Sequence, residues 1–488
     1  MHSRRFAVLC ALVSLAACAG LPPKPQPVTL NSEAPLSVAD NGAGAWPTKD
    51  WWTRYQDATL DQLITEALAG SPTLATAHAR FDSARVSVRL AGAATGAQVG
   101  LQGDAERQRL SDNGLISAFP RDLLPFHWYD TFDLGLQARY TFDWWGKQRA
   151  IVEAAVDQAH AAQAERSAAA IALASAVADT YFGWQADQGR LAVLRERRDT
   201  VRREGLIAGE RVQAQLDRAD SLQDANAALA SVDQDIAAVQ GSAKLRVVAL
   251  AALVGGAPDM LPALAAKPLP AAPVALPDAV KLDLIARRAD ITASRWRVEA
   301  AESKRESARA DFYPDITINA LANLDSLTGG KLLEYGSRAP EAGVALHLPI
   351  FDAGRLQAQY RGAQAAIAAA VADYNETLLD AARDVATQAA TRERIAAERA
   401  QRVLQVDAAR QLRDSAAARL RQGTEDVRTA VTAADAWMRQ RDELLKLDAA
   451  ALSADINLQR ALGGGYEPPA QLVAQRTVSH PTTQASQP

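Results

Sequence analysis

Alternation of apolar and polar residues identifies the clearest predicted strand, which covers residues 132–143. Successive strand residues point to opposite faces, so aromatic and aliphatic side chains share one face while polar ones such as Asp133 and Gln137 share the other. A half-buried strand of a soluble protein shows the same alternation. The length is close to the roughly 9 to 11 residues that cross an outer membrane obliquely, and with the aromatic end and the polar second face it favours a transmembrane barrel strand.

Three weaker segments repeat this pattern and predict further strands. They cover residues 97–107, 314–324 and 341–351, and a loop over 110–130 separates the first of them from the clearest strand. The four predicted strands therefore form two pairs, one in each half of the chain.

Long helices are predicted after each strand pair. Proline is absent between Pro125 and Pro258 and again between Pro349 and Pro468, and both runs are rich in alanine, the strongest helix former. The first of these helices is predicted over 147 to about 203, which is roughly 85 Å at 1.5 Å per residue.

Each long helix is predicted to turn and return as a second helix. The first turn is predicted at 203–211 and its returning helix ends at Gly255. The second pair of helices starts at Gly354, turns at 420–428 and ends at 461–465.

The order of elements occurs twice, which indicates a tandem repeat. Apolar residues three and four positions apart predict an opening helix that includes Leu60, Leu63, Ile64 and Leu68, and a similar helix opens the second half. Gly146 to Gly255 and Gly354 to Gly463 both span 109 residues. We therefore divide the chain into a signal peptide (1–17), a lipidated N-terminal tether (18–45), a first repeat (46–256), a Pro-rich linker (257–277), a second repeat (278–465) and a disordered tail (466–488).

The first eighteen residues predict a secretory signal. A basic start at Arg4 and Arg5 precedes an apolar core that is too short to span a bilayer as a helix. The sequence LAAC at 15–18 resembles a bacterial lipobox, which implies cleavage before Cys18 and acylation of its thiol; an ordinary signal peptide is the alternative. Cys10 is then lost with the signal, so we expect no disulfide and no cofactor beyond this covalent lipid. The alanine after Cys18, by resemblance to lipoproteins of enteric bacteria, favours the outer membrane.

Composition argues against several classes of function. The formal net charge is −4, so we expect no strongly basic face and no nucleic-acid partner. The six histidines do not occur at metal-ligand spacings, and neither a P-loop nor a dinucleotide fingerprint is present, so neither a metal site nor an enzyme activity is predicted. No segment after the signal reaches about 18 consecutive apolar residues, so no transmembrane helix is predicted and any membrane passage must use strands.

Four strands cannot close a membrane barrel, so the chain is expected to share its sheet with copies of itself. An open edge in hydrocarbon leaves unpaired backbone groups that cost several kcal/mol each. Three copies give twelve strands, an even number within the known range for bacterial barrels. Two copies give eight, and the interior of an eight-stranded barrel is filled by side chains.

The predicted fold is therefore mainly α with a membrane β part. Each protomer of a homotrimer gives four strands to a 12-stranded outer membrane barrel and four long helices to a periplasmic α-barrel. Glycine suits the sharp change of backbone direction between the two parts, and tryptophan suits the boundary between lipid and water. The predicted junction residues are Trp144, Trp145, Gly146, Phe351, Asp352 and Gly354.

Four motifs and the lipobox, taken together and in order, resemble the outer membrane factor family, the TolC-like efflux lipoproteins of the NodT type. The motifs are WWTRYQDATLDQLI (51–64), FDWWGK (142–147), ARADFYPDI (308–316) and PIFDAGR (349–355). The resemblance covers roughly residues 46–465 and implies a passive homotrimeric exit duct of a tripartite pump in the outer membrane, in contact with its lipids. The implied partners are a periplasmic adaptor (membrane fusion protein) and an inner membrane transporter of the resistance-nodulation-division (RND) or major-facilitator (MFS) class, which supplies the energy.

The family commonly has proline where this chain has Ala289. The first half keeps Pro72 at the corresponding place, so we expect a local change only.

The resemblance also assigns roles to the helix turns: they meet the adaptor, and nearby charges close the aperture. Gly205 and Gly209 lie one helical turn apart, and either could form the first turn. The alternative for any one charge is a solvated turn residue. The docking candidates are Gly205, Leu206, Gly209, Gln422, Gly423 and Thr424, and the candidate gate charges are Glu210, Arg211, Glu425, Asp426 and Arg428.

Three other functions remain open from the sequence. A structural coiled-coil lipoprotein would contain such helices, but the glycine-bounded strands and the apolar segment 247–256 argue against it. A lipoprotein hydrolase would need a catalytic constellation, and none can be named. A duct for protein secretion (type I) would share the fold, and small-molecule efflux is favoured over it because small-molecule pumps commonly use lipidated ducts.

Overall fold

The computed structural model describes residues 29–31, 44–109, 111, 128–271 and 280–468. The predicted signal peptide, Cys18, most of the tether and residues 469–488 lie outside this part of the chain, as does most of the predicted loop at 110–130.

The described residues form the same series of elements twice: two shorter helices, two strands, a very long helix and a shorter returning helix. The very long helix contains 67 residues in each series. The first series is α1 (Ala58–Gly70), α2 (Pro72–Ala94), β1 (Gln98–Arg109), β2 (Trp128–Phe142), α3 (Lys147–Gln213) and α4 (Ala219–Val254). The second is α5 (Val280–Arg287), α6 (Ala289–Ala310), β3 (Asp315–Ser326), β4 (Arg338–His347), α7 (Arg355–Arg421) and α8 (Val427–Ala461).

The four strands form one antiparallel sheet in the order β1-β2-β3-β4. The four predicted strands are confirmed, with bounds that lie one to four residues from those predicted. β2 begins at Trp128, four residues before the predicted start, and β4 ends at His347 instead of residue 351. Pro349 has no N–H to donate to the ladder, which explains the early end of β4.

The two strand pairs have equivalent registers. Gln98 of β1 lies opposite Arg139 of β2, and Asp315 of β3 lies opposite His347 of β4. The β1 residues 98–107 thus correspond to the β3 residues 217 positions later, and the β2 residues 130–139 correspond to the β4 residues 208 positions later. The tandem repeat predicted from glycine spacing is therefore present in the strand pairing itself.

The described residues divide into two compact units, and each takes segments from both repeats. Among the described residues, the sheet unit contains Asp82–Ala161 and Arg295–Asp373 with Thr29, and the helical unit contains Leu30–Phe81, Ala162–Ser294 and residues 374–468. The sheet lies in the sheet unit, and both helix turns lie in the helical unit.

The core of the helical unit lies around α1. Leu60, Leu63 and Ile64, three of the four residues that predicted this helix, are fully buried. They pack in one cluster with Tyr181 of α3 and Leu250 of α4. The amphipathic spacing therefore marked the face that enters the core.

Asp57 ties the Pro-rich linker to this core. Its carboxylate caps α1 through the N–H of Thr59 (2.9 Å) and accepts hydrogen bonds from Tyr181 Oη (2.8 Å) and Lys267 Nζ (2.7 Å). Burial alone would raise the pKa of Asp57, but these donors lower it below its usual value. The linker is thus held through Lys267 by a charged hydrogen bond.

A glycine ends the last helix of each repeat at a close backbone crossing. Gly255, with φ +88°, lies under the carbonyl of Gly70, and Gly463, with φ +98°, lies under the carbonyl of Arg287. A Cβ at either glycine would collide with that carbonyl oxygen. Because Gly70 and Arg287 are the last residues of α1 and α5, the same corner is built twice.

By length and composition alone, the helix α4 is apolar enough to cross a membrane. The sequence predicted no transmembrane helix. The most apolar 18-residue window of α4 has a mean hydropathy of 1.5. A helix of a soluble protein can meet the same criterion, so one such helix is weak evidence for a span. Asp233 of α4 forms an ion pair with Arg198 of α3, and Arg246 of α4 forms one with Asp187 of α3. These contacts show that α4 packs against α3 as the second helix of a hairpin.

Candidate functional site

The first helix turn lies at 214–218, so the prediction of a turn at 203–211 was wrong. The helix α3 continues to Gln213 and contains Gly205, Leu206 and Gly209 in its last turns, followed by Glu210 and Arg211. A glycine inside a helix costs only about 1 kcal/mol relative to alanine, so it does not by itself end the helix.

The two glycines face α4, where a Cβ would make only ordinary van der Waals contact. A Cβ on Gly205 would lie 3.9 Å from Cβ of Ala225, and one on Gly209 would lie 3.8 Å from Cδ1 of Leu222. The turn itself uses Gln215, whose φ of 61° is in the left-handed region, and Leu216 N–H donates to the Arg211 carbonyl at 2.8 Å.

Arg211 closes the first turn through Asp217. Its Nε donates to Oδ2 at 2.9 Å and its Nη2 donates to Oδ1 at 3.3 Å, a bidentate arrangement that fixes both groups. The hydrogen bond and charge of Arg211, with a contribution from Arg428, lower the pKa of Asp217 despite partial desolvation. The carboxylate is therefore ionised at neutral pH.

The second turn lies where the sequence predicted it. The helix α7 ends at Arg421 and α8 begins at Val427, and Gly423 between them has φ +69°. Asp426 caps α8 by accepting the N–H of Arg428 at 3.4 Å. Gln422 and Thr424 are exposed on this turn.

Two of the candidate gate charges meet at a residue that the sequence analysis did not name. Arg428 Nη1 lies 3.7 Å from Oδ2 of Asp217, so Asp217 is shared by Arg211 of the first turn and Arg428 of the second. Glu425 instead pairs with Arg419 of α7 at 3.0 Å. Glu210 is exposed and forms no ion pair with any residue in the described part of the chain. An acidic residue just before a helix is a helix-start signal, and Asp217 lies two residues before α4.

Buried ion pairs hold α3 against α8 above the turns. Arg197 Nε lies 2.7 Å from Oδ1 of Asp435, and Arg190 Nε lies 2.8 Å from Oδ1 of Asp442. Both aspartates are more than nine-tenths buried. Arg428, the residue seven positions before Asp435, continues this series at the turns.

The first junction forms a clamp with the segment that precedes β3. Trp145 stacks on Tyr313 with ring centroids 4.7 Å apart, and its Nε1 donates to the carbonyl of Pro314 at 3.0 Å. Gly146 has φ +80°, which fits the predicted change of direction. Trp144 is 69% exposed and does not belong to this stack.

Lys147 completes the clamp with two ion pairs. Its Nζ lies 2.8 Å from Asp311 Oδ1 and 3.4 Å from Asp315 Oδ2. Burial alone would lower the pKa of Lys147, but the two carboxylates raise it above its usual value. The ammonium therefore stays charged at this position.

The second junction has the backbone turn without a clamp. Asp352 caps α7 through the N–H of Leu356 at 2.8 Å, and Ala353 and Gly354 have φ of 55° and 87°. Phe351 is 90% exposed. The two junctions, although similar in motif, thus differ in what covers them.

Three carboxylates share one row of the sheet. Asp104 of β1 lies opposite Asp133 of β2, which in turn lies opposite Asp325 of β3. Residues directly opposite one another point to the same face, here the predicted polar face of β2. The sequence shows these aspartates singly, and only the register brings them together.

Within the residues that the structure describes, no group of three or more His, Cys, Asp or Glu side chains is arranged to hold a metal ion.

Comparison with known proteins identifies the family. The family model described as "Outer membrane efflux protein" matches residues 63–256 and 282–464. The multidrug resistance outer membrane protein MdtP of Escherichia coli (strain K12) is 32% identical over 462 residues, which cover 94% of each chain. The crystal structure of the outer membrane protein VceC from Vibrio cholerae has a TM-score of 0.77 at 33% identity and covers 86% of this chain and 100% of that chain.

A structure of the outer-membrane channel OprN has a TM-score of 0.80, covers 92% of this chain and 99% of that chain, and at 23% identity shows a likeness of fold. The helix pairs, the four-stranded sheet and these matches lead to one assignment: the chain belongs to the outer membrane efflux protein family and has a TolC-like channel fold.

Proposed function

We propose that three copies of this chain form a passive outer membrane duct, the exit component of a tripartite pump for small toxic compounds or drugs. The observation that carries the proposal is the four-stranded sheet, in which β1 and β4 each keep one edge without a partner strand from the described residues. Unpaired edges are not tolerated in hydrocarbon, so neighbouring copies supply the missing partners. Three copies give twelve strands, an even number within the known range for bacterial barrels.

Efflux of small molecules is favoured by the relatives. MdtP is named a multidrug resistance protein, and it matches this chain over nearly its whole length. A protein-secretion duct would use the same fold, but no contact in the described residues favours it. The absence of a nucleotide or metal motif in the sequence leaves the energy source to a partner, for which we propose a periplasmic adaptor and an inner membrane transporter of the RND or MFS class.

The N-terminal part of the proposal concerns lipid. The LAAC motif supports acylation of Cys18 after removal of residues 1–17, and the tether would then reach the rest of the chain from the outer membrane. Mass spectrometry of the mature protein tests this: a diacylated or triacylated N-terminal cysteine is expected, and an unmodified N-terminus that starts elsewhere would contradict it.

The gate is assigned to the charges that join the two helix turns. Asp217 is bound by Arg211 of its own turn and approached by Arg428 of the other, so separating the turns requires breaking contacts at this one carboxylate. Gly423, Gln422 and Thr424 remain candidates for adaptor contact. Gly205, Leu206 and Gly209 would contact an adaptor along the last turns of α3, because they do not form the turn itself.

Single-channel conductance in planar bilayers, combined with the mass in detergent, tests duct and gate together. A trimer of low conductance is expected, and Asp217→Asn is expected to raise that conductance. Asp220→Asn is the matched control, because Asp220 pairs with Arg218 close to the same turn while both side chains are more than three-quarters exposed. A trimer whose conductance is unchanged by Asp217→Asn would contradict the gate assignment. A monomer without conductance would contradict the proposed duct.

A further inference from the structure

The first junction is covered by its own chain, because β2 and β3 are neighbours in the sheet. Trp145 and Lys147 leave β2 beside the segment 311–315, which leads into β3, and the stack on Tyr313 and the ion pairs of Lys147 join the two. We call 311–315 the second lead-in. The end of the first repeat's strand pair thus packs against the beginning of the second repeat's strand pair.

The described residues show no stack and no ion pair of this kind at the second junction, although Leu356 and Tyr360 just after it pack on Phe312. It follows β4, and the segment that leads into β1, which we call the first lead-in (residues 94–98), belongs to the opposite edge of the sheet. Phe351 is 90% exposed, and among the described residues Arg355 contacts only Asp352 at 3.9 Å and Gln359 at 3.0 Å, all on its own side.

The offsets of 208 and 217 positions between the two repeats identify the residues that would meet if the contacts of the first junction were repeated between two copies. Moving 208 positions along the chain takes Trp145 to Ala353 and Lys147 to Arg355. Moving 217 positions back takes Tyr313 to Gly96. The same step takes the clamp acids Asp311 and Asp315 to Ala94 and Gln98.

We propose that the second junction packs on the first lead-in of a neighbouring copy, and that this seam between copies lacks the clamp found inside each chain. The inference rests on the proposed trimer and adds which surfaces meet. The occupant is a second copy because β1 and β4 are the only strand edges left open in the described sheet, and each ends beside one of these two surfaces.

The seam between copies is therefore the weaker one. An alanine replaces the stacking tryptophan, a glycine replaces its tyrosine partner, and Arg355 faces no acid from the neighbouring lead-in. The three seams inside the chains and the three between them alternate around the assembly. Separation of the copies is expected to begin at Arg355 and Gly96, while Trp145 and Tyr313 stay together.

Cysteine pairs test which surfaces meet. The natural cysteines are Cys10 and Cys18 alone, so a pair introduced at Ala353→Cys and Gly96→Cys can be linked by a short bis-maleimide with little background. A Cβ at Gly96 would meet only the Ala93 carbonyl at 3.5 Å, so the backbone accepts the change. The matched pair is Trp145→Cys with Tyr313→Cys, and the chain without added cysteines is the blank.

The cross-linked products, together with the mass in detergent, distinguish failure of this inference from failure of the proposed trimer. Covalent dimers and trimers from the 353/96 pair, with only monomers from the 145/313 pair, are the expected result. Monomers alone from the 353/96 pair, in a preparation whose mass in detergent is that of a trimer, would overturn the docking of these two surfaces and leave the trimer standing. A monomeric mass in detergent would overturn the trimer and the inference together.

A second experiment tests the missing clamp by adding its acids. Ala94→Asp with Gln98→Asp gives Arg355 the partners that Lys147 has inside the chain, and we expect the trimers to dissociate at a temperature higher by a few degrees. Adding Arg355→Gln to the same chain should remove the gain. No gain, or a gain that survives Arg355→Gln, would contradict the assignment of Arg355 to this seam.

Discussion

The carboxylate of Asp217, on the turn between α3 and α4, lies 3.7 Å from the guanidinium of Arg428 at the start of α8. The same carboxylate holds Arg211 in a bidentate contact, so one acid serves a cation from each helix pair. The two helix turns are thus joined through a single side chain. Any motion that separates the turns must break the Arg428 contact, whereas the Arg211 contact can travel with its own turn.

The charge on Asp217 predicts how the proposed gate responds to pH. Its pKa is lowered from the ordinary 3.8, so the contribution of its ion pairs is complete above that value and is lost as the pH falls through the lower folded value. Conductance of the closed channel should therefore be constant from neutral pH down to about pH 4 and rise only in stronger acid. Bilayer recordings across this range check the prediction, and Asp217→Asn should show no such acid-dependent rise. A rise between pH 5 and 7 would point to a different group.

The difference between the predicted and observed first turn shows the limit of local sequence signals. Proline-free, alanine-rich runs and strand alternation are local properties, so the element order and the second turn at Gly423 could be predicted. The first turn instead uses Gln215 at positive φ, a residue with little preference for that conformation, while Gly205 and Gly209 lie inside α3. Nothing local distinguishes a glycine inside a helix from a turn glycine.

Contacts between distant segments were also beyond the sequence. The stack of Trp145 on Tyr313 joins residues 168 positions apart, and nothing in the two motifs that contain them indicates this contact. The row formed by Asp104, Asp133 and Asp325 depends on strand register, which is set by the packing of the whole sheet.

Breaking the buried ion pair of Arg197 and Asp435 is expected to lower the free energy of unfolding by more than the intact pair contributes to it. Asp435→Ala leaves a buried guanidinium without its main partner, and removal of one partner of such a pair costs about 3 to 5 kcal/mol. Replacing both charged residues in one chain by the apolar residues leucine and methionine should recover much of the lost free energy of unfolding. Denaturant unfolding in detergent measures the effect. Glu398→Gln, which breaks the exposed pair with Arg394, is the control and should change stability by less than about 1 kcal/mol. Equal effects of the two single changes would contradict the assigned burial.

Gly463 should be intolerant of any side chain. Its φ of +98° is strained for other residues at a cost of about 1 to 3 kcal/mol, and a Cβ would also strike the carbonyl oxygen of Arg287. Gly463→Ala should therefore lower the unfolding midpoint strongly. Gly241→Ala is the matched control, because Gly241 lies inside α4 with open space around its Cα, and alanine there should stabilise the helix by about 0.5 to 1 kcal/mol. A tolerated Gly463→Ala would show that the corner between α5 and α8 can relax.

The carboxylate row predicts that the duct prefers cations. Asp104, Asp133 and Asp325 lie side by side on the polar face of the sheet, and three copies would place three such rows around the lumen. Rings of acidic side chains favour cations because they lower the electrostatic energy of a positive ion in the pore. The reversal potential in a potassium chloride gradient should therefore indicate cation preference, and the triple change to asparagine should reduce it. The triple change to glutamate keeps the charge at the same positions and should keep the preference. If both triple variants behave alike, the selectivity arises elsewhere, and the helix turns with Asp217 and Glu425 become the next place to change.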